Sequence, residues 1–109
     1  MDGTPPIATR SVMSVNVVVN WQALPDKAAE LLPLLQKGRD LSRLASGCES
    51  FDLFQRQDDE SKFMFVERWS SIEAHHENMS HNIVGSGHLG HILPLIVGPP
   101  DNGVIEIIG

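Results

Sequence analysis

At 109 residues the chain has room for one domain and one core, and a chain of this length buries roughly 65% of its unfolded surface on folding. A formal charge of −6 and a pI near 5.2 leave no basic face to neutralise phosphates, which argues against a nucleic-acid partner. No run approaches the ~18 apolar residues of a membrane span, and the lone Cys48 excludes an internal disulfide and suits a reducing cytoplasm.

The opening MDGTPPIATRSVM has one Arg and no apolar stretch of the secretory kind. Residues 1–12, with Pro5-Pro6, read as an N-terminal tail, and residues 13–109 as a single domain. Ser14 to Trp21 reads as the first strand. Val15, Val17, Val19 and Trp21 share one face, and Asn16, Val18 and Asn20 share the other. A strand with one wholly apolar face and amides on the other is covered on both sides or faces a pocket.

Pro25-Asp26 stops this strand, with Asp26 the expected N-cap of a helix to about Ala45. Ala28, Leu31, Leu32 and Leu35 recur at helical spacing, followed by Leu41 and Leu44. Pro33 lies inside the pattern and predicts a bend, since it removes one backbone hydrogen bond. Gly47 ends the helix where a left-handed residue is wanted. Ser50 to Gln55 and the alternating Lys62 to Trp69 then form a hairpin across the polar loop Gln57 to Ser61. Phe63, Phe65, Glu67 and Trp69 share one side of its second strand. Glu67 reads as an ion-paired residue, partnered by Arg68 or Arg56, and Cys48 as a small packed side chain rather than a nucleophile.

Ser70-Ser71-Ile72-Glu73 has the form of a capping box with Ser70 as the cap. On the helix that follows, Ile72, Met79 and Ile83 define an apolar face. His76 falls about 40° from Ile72, and His75 about 60° to the other side, so His76 is the histidine expected to look inward. Gly85, Gly87 and Gly90 weaken the continuation to one or two short helices, ended by Pro94 and Gly98-Pro99-Pro100. Asp101-Asn102-Gly103 reads as a turn, and Val104 to Ile108 as the last strand.

The order strand, helix, strand, strand, helix, strand predicts an α+β, ferredoxin-like βαββαβ fold with a four-stranded antiparallel sheet and helices on one face. There is more apolar strand face than two helices can cover, which predicts a homodimer. No metal site is expected. His88 and His91 are three apart, but no carboxylate lies between Asn78 and Pro100 and no cysteine accompanies them. No Gly-rich dinucleotide fingerprint is present either, so no flavin is expected.

Gly47-Cys48 before an aromatic strand, then Phe63, Val66 and the triplet Glu67-Arg68-Trp69, resembles the antibiotic biosynthesis monooxygenase family. That family also includes quinol monooxygenases and haem-degrading enzymes. Pro94-Leu95-Ile96-Val97-Gly98-Pro99 extends the resemblance, which covers roughly Ser14 to Gly109. It implies that two sheets close into a dimeric α/β barrel. It also implies a cofactor-independent reaction in which a small aromatic substrate, a quinol or hydroxyquinone, supplies electrons to dioxygen.

The expected site is Asn20, Trp69 and His76. His76 would take a proton from the substrate hydroxyl. Asn20 would donate a hydrogen bond to an oxygen as charge develops there. Trp69 would wall an aromatic ring and offer its N–H. The family places two histidines five residues apart after the triplet, a separation that His76 and His81 keep. Counted from Trp69, however, Asn78 takes the first histidine position and Ile83 the second. The haem-degrading branch would use Asn20 and His88, with Asn78 in place of a helix Trp. A dimer that only binds a small ligand or serves in a stress response is the non-enzymatic alternative.

Overall fold

In the computed structural model the structure describes residues 14–106, so the expected tail over residues 1–12 lies outside the described residues. Strands β1 (Val15–Gln22), β2 (Cys48–Gln55), β3 (Lys62–Trp69) and β4 (Asp101–Ile105) form one antiparallel sheet in the order β2-β3-β1-β4. Helices α1 (Ala28–Arg43), α2 (Ile72–Asn78) and α3 (His88–Ile92) complete the expected ferredoxin-like α+β order. A π-helical segment, Met79–Val84, continues α2, and a 3-10 turn, Leu93–Leu95, follows α3. Among the described residues no helix is long and apolar enough to cross a membrane.

Alternation divides the sheet into two unlike faces. Register pairs Val17 with Glu67, Val19 with Phe65 and Trp21 with Phe63, and β2 adds Phe51 opposite Glu67. Leu31 and Leu35 of α1 and Ile92 of α3 pack with Val17, Val19, Phe51, Phe63, Phe65 and Trp69 in the core. Phe65 meets both Trp21 and Phe51 edge-on, at ring-centroid distances of 5.5 and 4.7 Å, a geometry in which aromatic quadrupoles attract.

Several boundaries differ from the sequence expectation for local physical reasons. Asp26 does not cap α1. It takes φ +63° after Pro25, where a turn closed by Lys27 N–H donating to the Leu24 carbonyl (3.0 Å) needs a left-handed residue. Helix α1 is, as expected, a single helix through Pro33, which is exposed together with Ala29, so the carbonyl that Pro33 leaves without a donor can be hydrated. The cap of α2 is Ser71 rather than Ser70: its Oγ accepts from the Ala74 N–H at 3.1 Å. Asp101-Asn102-Gly103 is not a turn but the start of β4, paired with Asn20, Val19 and Val18. Its turn-like composition is tolerated because β4 is an edge strand, exposed throughout.

Gly47 is where the chain is tightest. It has φ +86°, its carbonyl accepts from the Ser70 N–H at 2.8 Å, and an added Cβ would lie 2.7 Å from the Ala74 Cβ. Gly47→Ala is expected to lower stability by about 1–3 kcal/mol, the usual cost of forcing a non-glycine residue into this region. An unchanged urea midpoint would show that the turn relaxes without strain.

Candidate active site

A cavity of about 230 Å³ lies between the core face of the sheet and the helices. Its floor is aromatic and aliphatic, from Val19, Trp21, Phe51 and Phe65. Glu67 and His75 bring polar atoms into the wall, and Gly38 lets His88 approach α1. His88 is buried, and its Nε2 donates to the Leu34 carbonyl at 2.8 Å, which assigns the ring proton to Nε2.

The buried stripe of α2 is His75 and Asn78, three residues apart. This corrects the expectation for His76, which is exposed and touches only the cavity's edge. Periodicity of apolar residues placed the helix by Ile72, but Ile72 sits in the first turn and is only half-buried. The face that meets the sheet is polar, so an apolar count misses it. Asn78 donates from Nδ2 to the Ser42 Oγ (3.0 Å) and accepts at Oδ1 from Asn82 (2.9 Å), which ties the π-helical segment to α1.

Asn20 is not beside Trp69. It pairs with Met64 on the sheet's opposite face, is exposed, and lines an open groove there with Phe54 and Met64. Trp21, its neighbour, faces the cavity instead. Trp69 is close to the site without lining it: it is 0% exposed, and its Nε1–H donates to Glu67 Oε1 at 2.8 Å. The aromatic wall expected from Trp69 is supplied by Trp21, Phe51 and Phe65. Of the three expected residues, then, His76 stands at the edge, Trp69 behind the wall, and Asn20 on the other side of the sheet.

Glu67, 3% exposed, is not paired with either expected arginine. Arg68 points to the opposite face and pairs with Glu49 at 3.2 Å, and Arg56 pairs with Asp58 at 2.6 Å. Its Oε1 instead lies 3.4 Å from the His75 Nδ1, within ion-pair range but without hydrogen-bond alignment. Cys48 is half-buried, and burial, with the field of Glu67 adding to it, pushes its thiol above the ordinary range, away from the reactive thiolate.

Two buried side-chain nitrogens lack a hydrogen-bond partner among the described residues: Trp21 Nε1 and His75 Nδ1. Both belong to residues that line this one cavity. Glu67 Oε1 faces the second of these, whereas the Trp21 N–H is a buried donor left unpaired, and such a group in a hollow marks a place where a bound molecule completes the bonding. Among the described residues no cluster of three or more metal-ligating side chains is present. A haem does not fit here. The His88 Nε2 is committed to Leu34, Asn20 is on the far side of the sheet, and the hollow falls below the ~300 Å³ lower end of ordinary ligand pockets.

Fold and cavity together define a ferredoxin-like domain with an internal cavity between sheet and helices. The chain belongs to the antibiotic biosynthesis monooxygenase family, whose sequence profile matches residues 14–82. Among solved structures it is similar to an antibiotic biosynthesis monooxygenase at 19% identity, covering 87% of this chain and 99% of the other, with a TM-score of 0.78. Rv0793 from Mycobacterium tuberculosis is similar at 26% identity, with 89% and 97% coverage and a TM-score of 0.72. A mutant of SnoaB, a cofactor-independent oxygenase from Streptomyces nogalater, shares the fold at 13% identity, with 86% and 92% coverage and a TM-score of 0.73. No curated protein matches the chain.

Proposed function

We propose that this protein is a cofactor-independent monooxygenase that oxidises a small, uncharged, single-ring quinol or hydroxyquinone with dioxygen. The observation that carries this reading is the cavity, with the partnerless Trp21 indole N–H and the buried His75 in its lining. An engineered cavity of about 150 Å³ admits benzene, so about 230 Å³ suits one substituted ring rather than a polycycle. Among the described residues no Lys or Arg lines the hollow, while Glu67 does. A carboxylated substrate would there be a second buried anion without a cation, at a cost of several kcal/mol. A ring bearing two oxygens, by contrast, can accept from the Trp21 indole N–H and donate a hydroxyl proton to His75.

The chemistry follows from that placement. His75 takes the hydroxyl proton, and the electron-rich anion passes one electron to dioxygen. Recombination of the radical pair forms a carbon–oxygen bond to give a peroxide. Loss of water, with His75 returning its proton to the leaving hydroxide, breaks the O–O bond. One oxygen atom stays on the ring and the other leaves as water, so a quinol and dioxygen give a hydroxyquinone and water. The substrate supplies all the electrons.

The working unit in this reading is a homodimer. Val18, Met64, Val66, Phe54 and Ile105 share the sheet face away from the helices, and among the described residues no helix covers it. A second copy of the same face is the partner proposed for it.

An oxygen electrode tests the function directly. Uncharged single-ring quinols are expected to give oxygen uptake above the rate of autoxidation, with carboxylated analogues at least about 10²-fold poorer. That ratio follows from the several kcal/mol set by the missing cation. Thermal stabilisation by quinols without any enzymatic oxygen uptake would instead make the protein a binding module.

A further inference from the structure

We propose that Glu67 is a positioning residue for His75: it holds the ring proton on Nδ1 and so leaves Nε2 bare for the substrate hydroxyl. This rests on the reading of His75 as the proton acceptor. The residues involved come from two consecutive elements. Glu67 and Trp69 are alternate residues on the core face of β3, and His75 is the first buried residue of α2.

An indole N–H can only donate. The 2.8 Å bond from Trp69 Nε1 therefore requires an acceptor at Glu67 Oε1 and pins that oxygen in place. Trp69 is itself immobile, fully buried and edge-on to Phe51 at 6.5 Å and to His75 at 5.9 Å. The pinned Oε1 is also the carboxylate oxygen that faces the His75 Nδ1, at 3.4 Å. A carboxylate facing one nitrogen of an imidazole selects the tautomer that puts the proton on that nitrogen, and it stabilises the imidazolium formed when the other nitrogen takes a proton. Such contacts are often long without substrate and shorten once charge develops.

A buried carboxylate with no Lys or Arg partner among the described residues is otherwise hard to account for. Every ion pair that the described arginines make goes to an exposed acid: Arg39 to Asp40, Arg43 to Asp52, Arg56 to Asp58 and Arg68 to Glu49. Burying Glu67 among aromatic rings costs stability unless something in the site uses the charge. The other titratable groups facing this pair are few. The His76 ring lies tilted against that of His75 at a centroid distance of 5.6 Å, Cys48 feels the Glu67 charge, and His88 stands on the cavity wall with its Nε2 already bonded.

The tautomer can be read in ligand-free protein by nitrogen-15 NMR of labelled histidines, with His75 assigned from the signal lost in His75→Gln. Protonated Nδ1 with bare Nε2 is the expected form, and a proton on Nε2 overturns the proposal. This measurement needs no substrate, so it stands or falls separately from the oxygenase reading. On a quinol that is turned over, Glu67→Gln is expected to lower kcat by about 10²-fold or more with little change in KM, given that the wrong tautomer alone costs about 10⁴ in a serine protease triad. In a His75→Ala background the same substitution should cost nothing further. Losses that multiply across the two backgrounds would mean that Glu67 does not act through His75.

Discussion

His75→Ala is expected to reduce turnover of a quinol by about 10²- to 10⁴-fold, the range for removing a positioned acid–base group, whereas His76→Ala should cost less than about threefold. The two residues are adjacent, and the contrast between them comes from burial and partners alone. His75 is 9% exposed, faces the cavity and lies beside the Glu67 carboxylate. His76 is exposed at the edge and has no carboxylate partner among the described residues. Initial rates of oxygen uptake at saturating quinol check the first claim, with melting temperatures to confirm that both variants fold. Should His76→Ala be the damaging substitution, the substrate hydroxyl must sit at the cavity's edge and the roles exchange. Because His75→Ala also enlarges the hollow, His75→Gln serves as the control: it keeps most of the volume, cannot cycle a proton, and should be equally slow.

Much of this architecture is legible in the residues because the strands announce themselves twice. Lys62–Trp69 alternates cleanly, and its predicted limits are those observed. The order of elements then leaves few topologies open. The site was less legible, and for identifiable reasons. Asn20 lies on the face opposite Val17, Val19 and Trp21, and that wholly apolar set was the available signal for which face meets the helices. In α2 the signal itself is weak: the residues facing the sheet are His75 and Asn78, so hydrophobic periodicity points elsewhere. Past Asn78 the helix widens to π geometry, with the Gly85 N–H donating to the Ser80 carbonyl at 2.8 Å, and any projection at 100° per residue drifts. Alternation puts Glu67 and Trp69 on one face of the strand with Phe63 and Phe65, but whether a side chain lines a cavity or supports the one that does is set by packing depth, which alternation does not encode.

Val18→Glu is expected to convert a dimer into a monomer of 12.0 kDa. Val18 sits at the centre of the uncovered face, paired with Val66 of β3 and Gly103 of β4. Its side chain points away from the core, so the substitution leaves Val17, Val19 and Trp21 packed as before. In the monomer the new carboxylate is hydrated and costs little. In a two-fold dimer each interface holds two such charges, one from each copy, brought near each other by symmetry. An unpaired buried charge costs about 3–5 kcal/mol, and each ~1.4 kcal/mol is tenfold in affinity, so dissociation should rise by at least about 10⁴-fold. A wild-type dimer with nanomolar affinity would then be largely monomeric at micromolar concentration. Sedimentation velocity decides it, with the same near-UV circular dichroism in both proteins as evidence that the core is intact. Wild-type protein sedimenting as a 12.0 kDa monomer would refute the dimer, and a Val18→Glu variant sedimenting as the wild-type dimer would move the interface off this face.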